Sequence, residues 1–206
     1  MIISHKHRFI FFAIPKTGTH SVRQALRAHL GPDDLEQVGL FVQKRFSFPE
    51  LADFKSGHVS AVQIRPILGN DVFDSYFKFA FVRNPFDRFV SYCAFMSRST
   101  GEFAARPKDF MKHVIVGLNP VDHLLYKPQY RFLVDCNEEM DVDFIGRNED
   151  MQASYEQVCQ TIGIPASELG LINSTEHRPF MEYYDDETYE LVSTLYRKDL
   201  ELFGYR

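Results

Sequence analysis

The sequence predicts an α/β fold in a single domain, with a central parallel β-sheet flanked by helices. Three observations support this prediction. The length of 206 residues suits one domain with a hydrophobic core of ordinary size. Runs of apolar and aromatic residues alternate along the chain with segments whose apolar residues recur at helical spacing. The resulting order, strand and helix repeated three times, is typical of a parallel sheet with helices on both faces.

The first strand and helix are predicted near the N-terminus. Residues 8–14, RFIFFAI, are rich in β-branched and aromatic side chains and predict a buried strand. Residues 19–30 predict a helix, because their apolar positions recur at helical spacing until Gly31-Pro32 ends the pattern. Residues 33–56 have a mixed composition and predict only short helices and turns.

The middle of the chain repeats the pattern of strand and helix. Residues 76–82 predict a second buried strand, which ends at Arg83-Asn84-Pro85. Because proline favours the first position of a helix, the next helix is predicted over residues 85–98. The polar residues 99–108 predict a loop, and residues 109–118 predict a further helix.

The third strand is predicted at residues 142–146 and is followed by a turn. Residues 150–162 and 185–203 predict helices by their pattern. The sequence has no internal repeat, low-complexity tract or linker. We therefore predict one domain over residues 1–206.

Composition and charge favour a soluble protein and limit the ligands that it can bind. Apolar residues make up 45% of the chain and charged residues 25%, as in globular proteins. The net charge of −5 does not favour nucleic acid as a partner. Any site for an anion must therefore depend on a local group of cations.

Cysteines and apolar runs indicate the compartment. The three cysteines, Cys93, Cys136 and Cys159, are odd in number and widely spaced, which favours reduced thiols over a disulfide framework or a zinc site. The N-terminal apolar run is about seven residues long, too short for a membrane helix, and no signal-peptide cleavage site follows it. We expect a cytoplasmic protein without an integral membrane segment, and the sequence leaves its oligomeric state open.

A polar turn connects the first predicted strand to the first predicted helix, in FFAIPKTGTHSVRQAL, residues 11–26. Ligands of parallel sheets bind at the carboxyl ends of strands, and unpaired N–H groups at a helix start attract anions. Lys16 adds a positive charge there, and the hydroxyls of Thr17, Thr19 and Ser21 add donors. These groups suit a phosphate or a sulfonate. The formula GxxxxGK[ST] of the P-loop is absent, and a plain turn with a surface lysine is the alternative.

The segment FVRNPFDRFVSY repeats this arrangement after the second predicted strand. Arg83 follows the strand, and its guanidinium suits a terminal phosphate that is bound through two hydrogen bonds. Ser91 lies about two helical turns later and adds a hydroxyl. Arg88 is the competing cation, for which we expect a surface salt bridge with Asp87 or another acid.

Together the two segments resemble the nucleotide-binding motifs of sulfotransferases that use 3′-phosphoadenosine 5′-phosphosulfate (PAPS). IPKTGTHS resembles the 5′-phosphosulfate loop of the carbohydrate-type enzymes, the family of heparan sulfate 2-O-sulfotransferase and related bacterial sulfotransferases. FVRNPFDRFVSY resembles the 3′-phosphate motif of that family. The resemblance continues in GHVSA, KPQYRFL, VDFIGRNEDM and the C-terminal segment. It implies a P-loop-like sulfotransferase fold, with PAPS as co-substrate and 3′-phosphoadenosine 5′-phosphate (PAP) as product.

The resemblance also implies a role for each motif residue. Lys16 would contact the bridging oxygen between the 5′-phosphate and the sulfonate, and Arg83 and Ser91 would hold the 3′-phosphate. The residues implied to surround the 5′-phosphate are Thr17, Gly18, Thr19, His20 and Ser21. The chain departs from the family at Ala13, where many members have histidine.

The candidate general base is His58, in SGHVSA, a segment that resembles the one carrying the catalytic histidine of the 2-O-sulfotransferases. Histidine suits this role because its ordinary pKa lies near neutral pH. A structural histidine is the alternative for His58, and Glu149 is the rival base. His177 stands in a polar loop that could border the site. No acidic pair has the spacing of metal ligands, so we predict no metal.

The predicted function is the transfer of a sulfonate from PAPS to a hydroxyl of a small-molecule or glycan acceptor, foremost a carbohydrate or glycoconjugate. An anionic acceptor would need a basic channel, although a scattered, solvated surface is the alternative for these cations. The candidates for such a channel are Lys44, Arg45, Lys55, Arg65, Arg98, Arg106, Lys108, Lys127 and Arg131. Two other functions stay open: a P-loop-type nucleotide phosphotransferase, and a non-catalytic PAP-binding protein on the same scaffold.

Overall fold

The computed structural model describes residues 1–36, 50, 56–170 and 178–206. The chain folds into two compact units. The first unit comprises Met1–Val82 and Gln129–Ile172 and contains a β-sheet. The second comprises Arg83–Pro128 and Asn173–Arg206 and is helical in its described part.

The sheet of the first unit has five strands in the order β3-β1-β2-β4-β5. Their bounds are β1 Ile2–Ser4, β2 Phe9–Phe12, β3 Leu35–Glu36, β4 Phe77–Val82 and β5 Phe144–Arg147. The three predicted strands are β2, β4 and β5, and they are parallel neighbours. Strand β1 runs antiparallel to both β2 and β3. The predicted α/β class is therefore confirmed, and the sheet contains two further strands, of which β1 is antiparallel to the others and β3 runs in the same direction as β2.

Helices cover both faces of this sheet, as predicted. One face packs its phenylalanines, including Phe11 and Phe79, against helices α1 (Thr19–Arg27) and α7 (Met151–Ile162). On the opposite face, Phe12 lies 6.4 Å from the ring of Phe73 in helix α3. Helices α2 (Ala61–Leu68) and α3 (Asn70–Ser75) connect the segment around residue 58 to strand β4. The alternation of side chains along each strand decides which face each phenylalanine joins.

The parallel register aligns the carboxyl ends of three strands. Phe12 of β2 pairs with Ala80 of β4, and Val82 of β4 pairs with Arg147 of β5. The connection between β2 and α1, residues 13–18, contains Lys16 and is called the lysine turn; it follows β2 at this edge. A short 3₁₀ turn, Asn148–Asp150, follows β5. The sheet therefore positions the connections after β2 and β5 at one edge, where ligands of such sheets bind.

The second unit packs its helices around an aromatic core that includes Phe86, Phe89 and Tyr196. Its helices are α4 Pro85–Met96, α5 Glu102–Ala105, α6 Pro107–Lys112, α8 Asp186–Leu195 and α9 Arg197–Phe203. Helix α4 begins at Pro85, as predicted, and the side chain of Asn84 accepts a hydrogen bond of 3.0 Å from the backbone N–H of Phe86.

Two details of the second unit differ from the prediction. The predicted loop 99–108 is wrong, because it contains α5 and the first residues of α6. The predicted helix 185–203 is two helices that meet at Tyr196, whose hydroxyl donates a hydrogen bond of 2.7 Å to the carbonyl of Tyr126. Four residues are too few for a helical pattern to show in the sequence, and a tertiary contact of this kind leaves no local sign.

Three further properties concern the described part of the chain. None of its helices is long and apolar enough to cross a bilayer. It contains no group of three or more His, Cys, Asp or Glu side chains that could hold a metal ion. The three cysteines are free thiols, of which Cys136 is exposed and Cys93 and Cys159 are buried.

Candidate functional site

The lysine turn between β2 and α1 has an unusual backbone. Lys16 has φ +66° and Gly18 has φ +75°, both in the left-handed region. Lysine carries a β-carbon and rarely adopts this conformation, so Lys16 is a strained residue of the kind that clusters at functional sites. Left-handed residues in a turn direct successive N–H groups toward a common concavity that binds anions. The N–H groups at the start of α1 follow directly.

The three hydroxyl groups in the turn and at the start of α1 differ in whether they already donate a hydrogen bond. The Thr17 hydroxyl donates to the carbonyl of Ile14 at 3.0 Å and closes the turn from within. The Ser21 hydroxyl donates to the carbonyl of Gly170 at 2.7 Å. Thr19 is buried, and its hydroxyl makes no hydrogen bond to the described residues. Of the three hydroxyls, the one on Thr19 is thus the available donor for an anion, whereas that of Thr17 closes the turn and that of Ser21 joins α1 to Gly170.

The connection after β5 supports the lysine turn. The side-chain amide of Asn148 donates a hydrogen bond of 3.3 Å to the carbonyl of Thr17. A β-carbon built on Gly18 would lie 2.7 Å from Nδ2 of Asn148 and would also collide with the terminal methyl group of Met151. Sequence analysis did not predict these contacts, because Gly18 and Asn148 are 130 positions apart along the chain. The turn after β2 is therefore supported by residues that follow β5.

His58 lies next to the same turn. Its Nδ1 is 2.5 Å from the carbonyl oxygen of Ala13, three residues before Lys16. A carbonyl oxygen only accepts hydrogen bonds, so Nδ1 carries the proton and Nε2 has a free lone pair. Burial lowers the pKa of His58 from 6.5 to about 4, against the opposing effect of the hydrogen bond to Ala13. The imidazole is therefore neutral at pH 7, the form that can accept a proton.

Two basic residues of α1, His20 and Arg23, lie close enough to His58 to affect its pKa. Loss of solvent, together with the charges of Arg23 and Lys16, lowers the pKa of His20. Arg23 is a buried guanidinium whose Nε makes no hydrogen bond to the described residues. Its nearest described acid is Glu36 at 3.9 Å, and both oxygens of Glu36 accept hydrogen bonds of 2.7 Å from Arg27. Sequence reasoning missed Arg23, because a cation in an amphipathic helix ordinarily indicates a solvated face.

In the second unit, Arg83 lies two residues before the start of α4, and Ser91 lies in the middle of that helix. Nε of Arg83 donates to the carboxylate of Asp87 at 2.6 Å, and both side chains are mostly buried. Ser91 is also buried, and its hydroxyl makes no hydrogen bond to the described residues. The ion pair with Asp87 fixes the orientation of the Arg83 guanidinium, as a site for a phosphate requires.

The expectation for Arg88 was wrong. We expected a surface salt bridge, but Arg88 is 1% exposed and donates to the carbonyls of Leu125 and Lys127 at 3.1 and 2.8 Å. Its guanidinium also lies over the ring of Tyr196, 5.7 Å from the centroid. Arg88 therefore packs and bonds within the core of the second unit. Asp87 forms its ion pair with Arg83 instead.

The first unit brings the residues of the lysine turn together with His58. Glu149, the rival base, is exposed in the 3₁₀ turn after β5.

Among the cations considered for an acceptor channel, Arg65 donates to Asp141 and Asp74, both at 2.8 Å. The candidates outside the described residues are Lys44, Arg45, Lys55 and His177.

Comparison with known proteins identifies a family. A family model described as the sulfotransferase family matches residues 1–206. An uncharacterised protein of Archaeoglobus fulgidus is 32% identical over 105 residues, which are 51% of this chain and 82% of that protein. No solved structure matches the chain. The family match covers both compact units.

Proposed function

The chain belongs to the sulfotransferase family, and on that premise we propose that it transfers a sulfonate from PAPS to a hydroxyl of a carbohydrate or glycoconjugate, acting as one domain over residues 1–206. The observation that carries the proposal is the lysine turn. A strained Lys16 and a left-handed Gly18 stand between a parallel strand and a helix start. That backbone suits a phosphosulfate, whose charge needs both N–H donors and a cation.

The donor would be held at its two ends by different segments. Lys16, with the backbone of residues 17–21 and the Thr19 hydroxyl, would bind the 5′-phosphosulfate. Arg83 and Ser91 would bind the 3′-phosphate. The residues fit these roles, since Arg83 is oriented by Asp87 and the Ser91 hydroxyl makes no bond to described residues. Strands β2 and β4, which precede the two segments in the chain, are parallel neighbours.

His58 and Lys16 would divide the chemistry of transfer. The acceptor oxygen forms a bond to sulfur while the bond from sulfur to the 5′-phosphate oxygen breaks. Nε2 of His58 takes the proton of the acceptor hydroxyl, which a positioned base accelerates by about 10²–10⁴-fold. Lys16 stabilises the charge that develops on the phosphate oxygen as PAP leaves. Sulfonate transfer of this kind depends on positioning and electrostatics, so we predict that it needs no metal.

The low pKa of His58 favours a base that becomes active when the donor is bound. Burial lowers this pKa to about 4, and nearby positive charges, including that of Arg23, act in the same direction. A bound phosphosulfate adds negative charge near these cations, and nearby negative charge raises the pKa of a histidine. The basicity of His58 would therefore increase when the donor is in place.

A ligand panel tests the proposed class. The thermal unfolding of the whole chain is measured with PAP, ATP with and without magnesium, NAD and coenzyme A. We expect PAP to stabilise the protein most, by about 2.7 kcal/mol when it is present at 100 times its dissociation constant, and chelation of metals to leave this unchanged. Stabilisation by ATP with magnesium, but not by PAP, would instead support a P-loop phosphotransferase.

Three variants then separate the proposed roles. Lys16→Ala should slow transfer strongly, because the leaving oxygen loses its cation. Arg83→Ala should weaken PAP binding by about tenfold or more, the usual cost of a lost charged hydrogen bond. His58→Ala should abolish transfer and leave PAP affinity nearly intact. Full activity of the His58 variant would exclude it as the base, and PAP binding without transfer to any acceptor in a broad glycan and phenol screen would support the non-catalytic alternative.

A further inference from the structure

We propose that Asn148 is a positioning residue that holds the lysine turn in its anion-binding shape. The proposal rests on the proposed function, since it concerns the turn that would receive the 5′-phosphosulfate. Asn148 acts through the carbonyl of Thr17 and not on the reacting atoms.

The turn needs support, because its conformation is unfavourable for its sequence. Lys16 has φ +66°, where the β-carbon of an ordinary residue crowds the backbone. Such conformations persist only where surrounding contacts determine them. The hydrogen bond from the Thr17 hydroxyl to Ile14 is one such contact, but it joins residues three apart within the same connection. Support from outside the turn comes from His58, which bonds to the carbonyl of Ala13, and from Asn148, which bonds to the carbonyl of Thr17 beside Lys16 and Gly18.

The contact between Asn148 and Thr17 has a defined direction. The carbonyl of Thr17 can only accept, so the NH₂ group of the Asn148 amide faces it at 3.3 Å. Thr17 is fully buried. Without Asn148, its carbonyl would be left in a site that water reaches poorly, and the peptide that carries it would be free to rotate. Rotation of that peptide turns the N–H of Gly18, which belongs to the anion-binding backbone.

A second contact places Asn148 directly against the α-carbon of Gly18. The Nδ2 atom would lie only 2.7 Å from a β-carbon at that position. Asn148 follows Arg147, whose strand pairs with β4 at Val82. The sheet thus fixes the backbone of Asn148. It thereby also fixes the point from which the Asn148 amide reaches the turn. A rigid support of this kind preorganises a binding site and raises its affinity.

The test compares PAP affinity in three variants by calorimetry on the whole chain. Asn148→Ala removes the amide, and Asn148→Leu removes the hydrogen bond but keeps the bulk. We expect both to weaken PAP binding by about tenfold. Gln152→Ala is the control, because Gln152 lies on α7 and bonds to Leu169 and Glu156 but not to the turn. Its PAP affinity should stay within about twofold of that of the unmodified chain.

The backbone amide signal of Gly18 in NMR spectra provides a readout that needs no ligand. We expect it to shift or broaden in Asn148→Leu and to stay unchanged in Gln152→Ala. If Asn148→Leu binds PAP normally and leaves the Gly18 signal in place, the inference is wrong, even if the variant is less stable. If the unmodified chain does not bind PAP, the proposed function fails, while the Gly18 signal still decides whether Asn148 positions the turn.

Discussion

Gly18 and Gly163 show what a single residue contributes to the lysine turn. Both have a left-handed backbone, with φ +75° and φ +70°. A β-carbon built on Gly18 would collide with Met151 and Asn148, whereas one built on Gly163 would have no atom within 4 Å. A substitution at Gly163 therefore measures the free-energy cost of a left-handed backbone alone. A substitution at Gly18 also includes the cost of collision with neighbouring side chains.

We predict that Gly163→Ala lowers the free energy of unfolding by about 1 kcal/mol, the cost of a β-carbon in the left-handed region. Gly18→Ala should lower it more, because the neighbours must also move, and it should weaken PAP binding by about tenfold or more. Urea unfolding and calorimetry measure the two effects. Equal losses of stability in both variants, with normal PAP binding, would show that the close approach at Gly18 has no consequence.

The protonation of His58 gives a second prediction at this scale. Its pKa is about 4 in the folded protein and 6.5 in the unfolded chain. Between these values the unfolded chain binds the proton more readily, so the free energy of unfolding falls as the pH falls from 6.5 to 4. The shift corresponds to a loss on the order of 3 kcal/mol. Because other groups titrate in this range, the His58→Asn variant serves as reference, and its unfolding free energy should fall less steeply with decreasing pH.

At the scale of elements, Glu36 joins helix α1 to strand β3. Its side chain is fully buried and accepts two hydrogen bonds of 2.7 Å from Arg27, with Nε of Arg23 3.9 Å away. Two guanidinium groups thus share one carboxylate. Strand β3 has only two residues, and its pairing with β1 covers only Ile2 and Ile3. Ion pairs to α1 therefore attach β3 to the first unit in addition to this short backbone pairing.

We predict that Glu36→Gln lowers the free energy of unfolding by about 3–5 kcal/mol, because it leaves a buried guanidinium without its acid. Asp74→Asn is the matched control, since Asp74 is 58% exposed and its ion pair with Arg65 lies near solvent. It should lower the free energy of unfolding by at most about 1 kcal/mol. Chemical unfolding of both variants measures the difference, and a similar, small loss in both would show that the buried network is not stabilising.

At the scale of the whole molecule, the net charge of −5 opposes the binding of an anion, whereas Lys16 and Arg83 would attract it locally. Distance decides which effect dominates. Two unit charges 4 Å apart near a protein surface interact by about 4 kcal/mol, while charges 20 Å apart in water interact by about 0.2 kcal/mol. A few close cations therefore outweigh a larger number of distant acids.

We predict that added salt weakens PAP binding severalfold, because the screening length falls from about 10 Å at 0.1 M to about 3 Å at 1 M salt. Calorimetry over this range measures the dependence. The Arg83→Ala variant should show a smaller dependence, since it has one cation fewer at the proposed site. An affinity that rises with salt would mean that the net charge dominates and that the local cations do not contact the ligand.

The amino-acid sequence alone was enough to predict the parallel core of the fold. The strands β2, β4 and β5 were predictable because each lies in an apolar run rich in β-branched and aromatic residues. The helices that follow them were predictable because each is long enough for its period of 3.6 residues to appear. The sequence also indicated the sulfotransferase family, since the residues of each motif, at the lysine turn and after β4, lie in one unbroken stretch of the chain. The short strands β1 and β3 escaped prediction, because two or three residues show no period.

The construction of the candidate site depends on contacts between segments that are distant in the chain. The sequence named Lys16 and His58, but not the hydrogen bond that sets the tautomer of His58, nor the support that Asn148 gives to Thr17. It also assigned Arg88 to the surface, although that side chain is buried. The physical reason is the same in each case. Local patterns report the preferences of neighbours in the chain, whereas these contacts join residues that are tens of positions apart and meet only when the chain has folded.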